Sequence, residues 1–171
     1  MIYLLSERED TQFEPPLKSD EITSAKETVL KQYFGHSTFR HGQDQVVDAI
    51  LSGRDALCVM PTGAGKSVCY QVPALMFDGV TVVISPLISL MKDQVNALSQ
   101  NGIRAAYLNS SLTYSQYVKA VNNIRRGIYK IIYVAPERLT VPEFLSVCKE
   151  IKIDLLAIDE AHCISQWGYD F

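Results

Sequence analysis

Four apolar runs set the rhythm of the chain, at 56–60, 80–84, 131–134 and 153–158, with a weaker one at 103–108. Each is short and rich in β-branched or large aliphatic residues, the pattern of strands buried on both faces of a sheet. Between them, 66–76, 88–100, 113–126 and 142–149 carry apolar residues at helical spacing. Two more helices are predicted earlier. One spans 24–34, with Val29, Leu30, Tyr33 and Phe34 near one face and Gly35 as a stop; the other spans 42–51, with Val46, Val47, Ile50 and Leu51 inward. Strands alternating with helices predict an α/β fold with a mainly parallel sheet and helices on both faces. Such sheets bind ligands at the carboxyl ends of their strands, where Met60, Ser85, Ala135 and Asp159 fall. Residues 1–22 mix charges with Thr11, Gln12, Pro15 and Pro16 and show no sustained period, so they are expected to form a flexible extension. The domain proper is expected over 23–171.

Composition narrows the class. At 171 residues, 47% hydrophobic and 20% charged, the chain has the makeup of one ordinary globular domain. No apolar run approaches a membrane span, and Met1 to Leu5 is too short for a signal-peptide core before Glu7, Glu9 and Asp10 intervene. The expectation is a cytoplasmic protein, in a bacterial cytoplasm or nucleoid, with no membrane partner. Cys58, Cys69, Cys148 and Cys163 make no C-x-x-C pair and no zinc spacing, so reduced thiols are expected. A net charge of −3 does not advertise a nucleic-acid binder, although a local groove can be basic where the whole is not.

The chemistry concentrates in two stretches. Met60 to Ser67 reads M-P-T-G-A-G-K-S, between a predicted strand and a predicted helix. Gly63 and Gly65 let backbone N–H groups converge on phosphate oxygens, the helix that follows adds its positive end, Lys66 can reach the β- and γ-phosphates, and the Ser67 hydroxyl can ligate Mg²⁺. The strict P-loop pattern has glycine where this chain has Met60. The second stretch, Leu155 to His162, is an apolar strand that delivers Asp159 and Glu160 at its end. Asp159 is placed to hold Mg²⁺ opposite Ser67, and Glu160 to polarise an attacking water. An acidic pair capping a following helix is the alternative for the second stretch, and a chance Gly-Lys-Ser in a surface turn for the first.

Together these motifs resemble the first RecA-like lobe of a RecQ-family DNA helicase, a P-loop NTPase of helicase superfamily 2, over about residues 26–171. The family's phosphate loop, P-T-G-x-G-K-S, is similar to Pro61 to Ser67 and does without the first glycine; its D-E-A-H box is matched by Asp159-Glu160-Ala161-His162. The stretch from Tyr33 to Gln43 resembles the adenine-recognising motif 0, which implies base contacts for His36, Arg40 and Gln43 beside the loop residues Thr62, Gly63, Ala64, Gly65, Lys66 and Ser67. His36 stands where the family usually has an aromatic ring. Ser85 to Gln94 resembles motif Ia and Ala135 to Leu139 motif Ib, which implies DNA contact for Ser89, Lys92 and Arg138. Cys163 to Phe171 resembles the aromatic-rich loop that senses single-stranded DNA, which implies roles for Gln166, Trp167 and Phe171; Tyr169 replaces the more usual histidine.

The resemblance implies an ATP-binding lobe of a 3′→5′ DNA helicase acting in recombination and repair, with ATP and Mg²⁺ as cofactors and single-stranded or forked DNA as partner. Lys66, Asp159 and Glu160 are the catalytic residues it implies. The sequence stops inside the aromatic-rich loop, so the lobe is expected to be incomplete and, without its second RecA-like lobe, nearly inactive. An RNA-directed ATPase of the same superfamily and a non-catalytic nucleotide-binding or interaction module remain the alternatives.

Overall fold

The computed structural model describes residues 2–5, 19–61 and 63–161. Its elements run β1 (Ile2–Leu5), α1 (Ser19–Phe34), α2 (Gln43–Leu51), β2 (Ala56–Cys58), α3 (Val68–Met76), β3 (Val80–Ile84), α4 (Ile88–Gln100), β4 (Ala105–Leu108), α5 (Tyr114–Arg125), β5 (Ile131–Val134), a 3-10 turn (Pro136–Arg138), α6 (Pro142–Glu150) and β6 (Ile153–Asp159). They form one sheet in the order β2-β1-β6-β3-β5-β4. Strands β6, β3, β5 and β4 are mutually parallel, as the βαβ alternation requires, because a parallel neighbour needs a crossover helix.

Helices cover both faces. On one side α1 to α4 bury Leu30, Val47, Ile50, Leu51, Cys69, Val72, Met91 and Leu98 against Val83, Ile131, Leu155 and Ala157 of the strands. On the other, Val121 and Ile124 of α5 with Phe144 and Val147 of α6 close over Val80, Val82, Leu108, Ile132 and Val134. Helix α3 is apolar almost all round and Cys69 to Ala74 are buried, as befits a helix sealed between sheet and neighbours. Its C-terminus is held by Lys130, whose Nζ donates to the Phe77 and Asp78 carbonyls at 2.7 and 3.1 Å. Helix α5 starts from a capping box between Thr113 and Gln116.

Register sets the rim. Ile84 pairs with Ile158 and with Val134, and Val134 with Leu108, so the four parallel strands end in step. The next residues, Ser85, Asp159, Ala135 and Asn109, therefore share one edge.

Two expectations need correction. The stretch 1–22 is not a loose extension throughout. Ile2–Leu5 is a strand laid antiparallel between β2 and β6, and α1 already begins at Ser19. Four apolar residues before a charged segment carry no local sign of the slot they fill, since that slot is made by strands more than fifty residues away. Nor is the run at 56–60 buried on both faces. Strand β2 covers only Ala56–Cys58 and lies at the sheet edge, leaving Leu57 58% and Val59 72% exposed.

Candidate active site

The Gly63–Ser67 loop leads from β2 into α3. Gly63 and Gly65 both have φ near +80°, a conformation costly for residues bearing a Cβ. At Gly65 a Cβ would also sit 2.7 Å from the Gln43 amide nitrogen, so glycine is required there twice over. The first turn of α3 closes through Val68 N donating to Gly65 O at 3.2 Å and Cys69 N to Lys66 O at 3.0 Å. The amides of Gly65, Lys66 and Ser67 lie at the N-terminus of α3, the end of a helix suited to receive anionic oxygens. The Lys66 ammonium reaches the Met60 carbonyl at 3.5 Å, too long to hold it firmly.

The segment before α2 is bolted to this loop. Lys26, buried in α1, pairs with Asp48 of α2 and lies 5.7 Å from the centroid of the Phe39 ring, which fixes the neighbouring backbone. From there Arg40 Nη1 donates to Gly63 O at 2.9 Å. Gln43 is 3% exposed; its amide nitrogen donates to Ala64 O at 3.1 Å and Gly65 O at 2.9 Å, and its oxygen accepts from Arg40 N at 2.8 Å. Sequence reasoning brought Arg40 and Gln43 to the nucleotide through a base. The structure shows them bracing the loop itself. His36 is exposed on the same connecting segment.

Asp159 ends β6 on the same rim. Through β1, Ile2 is level with both Cys58 and Asp159, so the start of the loop and the carboxylate are two strand spacings apart, about 10 Å. Asp159 is 6% exposed, and burial pushes its carboxyl above the ordinary value; the neighbouring Glu160 charge adds to this, while the Glu160 amide and the Lys66 ammonium pull the other way. Glu160 N donates to Asp159 Oδ1 at 3.0 Å. Glu160 itself has φ +54°, the one non-glycine residue with positive φ among those described. Such a conformation persists only where the surroundings dictate it, and it aims this carboxylate differently from a strand continuing straight.

The donor set fits a hydrated magnesium ion. Mg²⁺ prefers hard oxygen ligands and keeps several waters, so it needs few protein groups. The Ser67 hydroxyl and the Asp159 carboxylate supply oxygens. The Ser85 hydroxyl, 1% exposed on the adjacent strand, makes no hydrogen bond among the described residues and is available to a water. No group of three or more His, Cys, Asp or Glu side chains clusters as a metal site among them. The thiols are not candidates for chemistry: burial raises Cys58 and pushes Cys69 up to about 12.

Residues 40–171 match the sequence profile of the DEAD/DEAH box helicases. The chain belongs to the DEAD/DEAH box helicase family. Within it, the chain is similar to proteins named ATP-dependent DNA helicase RecQ. It is 53% identical to that of Bacillus subtilis (strain 168) over 146 residues, 85% of this chain and 25% of the relative. With that of Haemophilus influenzae the figures are 56% over 144 residues, 84% and 23%. The ATP-dependent helicase wrn-1 of Caenorhabditis elegans is 48% identical over 145 residues, 83% of this chain and 13% of the relative. The chain thus spans about a quarter of the length of the RecQ relatives it matches.

The other expected site residues of this helicase lobe fall in three groups. Ser89 and Lys92 are exposed on α4, just beyond the rim. Arg138 is half-buried; its Nη2 donates to Asn109 O at 3.0 Å and its guanidinium lies 5.2 Å from the Tyr117 ring centroid, so it ties β5 to β4. Thr62, Gln166, Trp167 and Phe171 lie outside the described residues, as does His162. Sequence reasoning missed four polar residues beneath the site. Tyr70 and Gln71 on α3, Tyr133 on β5 and Gln94 on α4 form a buried hydrogen-bonded chain. The signal was present as polar atoms inside apolar runs, but periodicity reads a tyrosine as core.

No helix among the described residues is long and apolar enough to cross a membrane.

Proposed function

We propose that this chain is the ATP-binding lobe of an ATP-dependent DNA helicase of RecQ type, translocating 3′→5′ in recombination and repair. The observation that supports the reading is the shared rim: the loop that carries Lys66 follows β2, and the buried Asp159 carboxylate ends β6, level with it through β1. Loop amides and Lys66 take the β- and γ-phosphates. Ser67 and Asp159 hold Mg²⁺, which when bound offsets phosphate charge. Glu160 accepts the proton of the water that adds to the γ-phosphorus as the bond to the departing ADP oxygen breaks. Arg40, Gln43 and His36 lie on the side where adenine would sit. For Gln43 to read the base it must give up a loop carbonyl, so base recognition and loop shape are linked.

The same reading gives DNA contact to Ser89, Lys92 and Arg138 and, by resemblance in sequence alone, to Gln166, Trp167 and Phe171; the exposed Lys92 suits sequence-independent phosphate contact. A second RecA-like lobe completes the motor and supplies an arginine to the γ-phosphate. Such an arginine is worth roughly a thousandfold or more in rate, so the 171-residue chain alone binds ATP but hydrolyses it poorly. The test is direct. Titrated with a fluorescent adenine nucleotide and Mg²⁺, the chain is expected to bind, and Lys66→Ala to weaken binding by at least tenfold. Equal affinity in the two proteins would remove the site assignment.

A further inference from the structure

Under the phosphate loop runs a line of polar groups inside an apolar core. Tyr70 is fully buried and Tyr133 is 1% exposed; their hydroxyls are 3.2 Å apart. Gln71, 5% exposed, gives one amide hydrogen to the Tyr133 hydroxyl at 3.2 Å and the other to Gln94 Oε1 on α4 at 3.0 Å. At the opposite end Tyr70 is anchored in the first turn of α3, where its backbone N–H donates to the Ser67 carbonyl at 3.3 Å. The line therefore starts at Ser67 in the phosphate loop and ends on α4, the helix that exposes Ser89 and Lys92.

The proton inventory gives the line a direction. With both Gln71 hydrogens spent on Gln94 and Tyr133, the Tyr133 hydrogen finds an acceptor among the described residues only if Tyr133 donates to Tyr70. In the reverse order the Tyr133 hydrogen has no acceptor, which is costly in a buried position. Burial pushes Tyr133 up to about 12 and raises Tyr70 as well, so both stay protonated and can donate. Any group that pulls on Ser67 pulls on a buried chain with little slack, since protein interiors are close-packed.

We propose that Tyr70, Tyr133 and Gln71 are positioning residues that link the first turn of α3, where Ser67 leads in, to Gln94, so that a nucleotide loaded at the phosphate loop tightens α4 beneath its exposed polar face. This rests on the nucleotide site proposed above. None of the three touches the reacting atoms.

The experiment is hydrogen exchange of the 171-residue chain with and without Mg²⁺ and a non-hydrolysable ATP analogue, alongside direct measurement of analogue affinity. In the wild type, amides of 88–100 are expected to exchange at least twofold more slowly when the analogue is bound. Gln94→Met, which removes only the half-buried terminal acceptor, should lose that slowing and keep the affinity. Gln94→Glu, which restores an acceptor for Gln71, should recover it. Tyr133→Phe should lose it as well. A wild type that binds the analogue with no change in α4, or a Gln94→Met that responds like the wild type, overturns the link while leaving the nucleotide site intact. Failure of the wild type to bind the analogue more tightly than Lys66→Ala overturns the site reading, and this inference with it.

Discussion

A carboxylate at the end of an apolar strand, 6% exposed, is expensive to ionise, and Asp159 is held in that condition beside a second acid. Its raised pKa means that the folded chain binds this proton more tightly than the unfolded chain does. The group therefore favours folding while protonated, and its contribution is lost as pH climbs from the ordinary carboxylate range through the raised value. At neutral pH the protein carries a buried charge that the Glu160 amide and the Lys66 ammonium offset only in part. Asp159→Asn is accordingly expected to raise the thermal midpoint of the nucleotide-free chain by a few degrees at pH 7, with the gain shrinking as pH falls toward about 4. The same substitution should abolish the additional stabilisation that Mg²⁺ gives to the nucleotide complex. Thermal denaturation across that pH range checks both; a variant less stable at pH 7 than the wild type would contradict the account. Glu160, in its left-handed conformation next door, belongs to the same local trade of stability for a preset site.

Elements are joined most tightly where α3 hands over to β3. Gly79 N donates to Asp154 Oδ2 at 2.7 Å, Lys152 Nζ pairs with the same oxygen at 3.2 Å, and Val80 N donates to Lys152 O at 2.8 Å. A Cβ on Gly79 would stand 2.6 Å from Lys152 O and 2.8 Å from Asp154 Oδ2. The backbone there cannot yield without dislodging the start of β6, whose far end carries Asp159. Gly79→Ala is expected to cost about 2 kcal/mol, or roughly 4–8 °C in thermal midpoint for a chain of this size. Denaturant unfolding would show it, and a loss below about 0.5 kcal/mol would mean that the turn relaxes freely. Gly79 immediately precedes β3 and Asp154 lies near the start of β6. Their contact joins residues seventy-five positions apart and had no local sign.

On the scale of the molecule, helices cover both faces of the sheet, while among the described residues no strand pairs with the outer edge of β2, where Leu57 and Val59 are exposed. Edge strands with exposed apolar side chains invite pairing with other chains. Leu57→Lys should reduce concentration-dependent self-association of this chain, as read by sedimentation or light scattering, without altering nucleotide affinity. Unchanged association would show that another surface is responsible. The opposite edge leaves no β4 side chain fully exposed: Ala105 and Tyr107 are half-covered, and Ala106 and Leu108 are buried.

Much of this lay in the sequence because it is local. Apolar runs separated by helical spacing fixed β3, α4 and β5 to the residue, and glycines at two strained positions followed by Lys-Ser identified a phosphate loop from its own chemistry. What tertiary structure alone decided is what depends on register between distant segments. It set Asp159 level with the start of the loop, slipped β1 antiparallel between β2 and β6, turned Arg40 and Gln43 into braces on loop carbonyls, and threaded Tyr70, Tyr133 and Gln71 into one line. The reason is physical. A side chain's periodicity tells which face it occupies, while the partner waiting on that face is supplied by strands and helices far away in the chain.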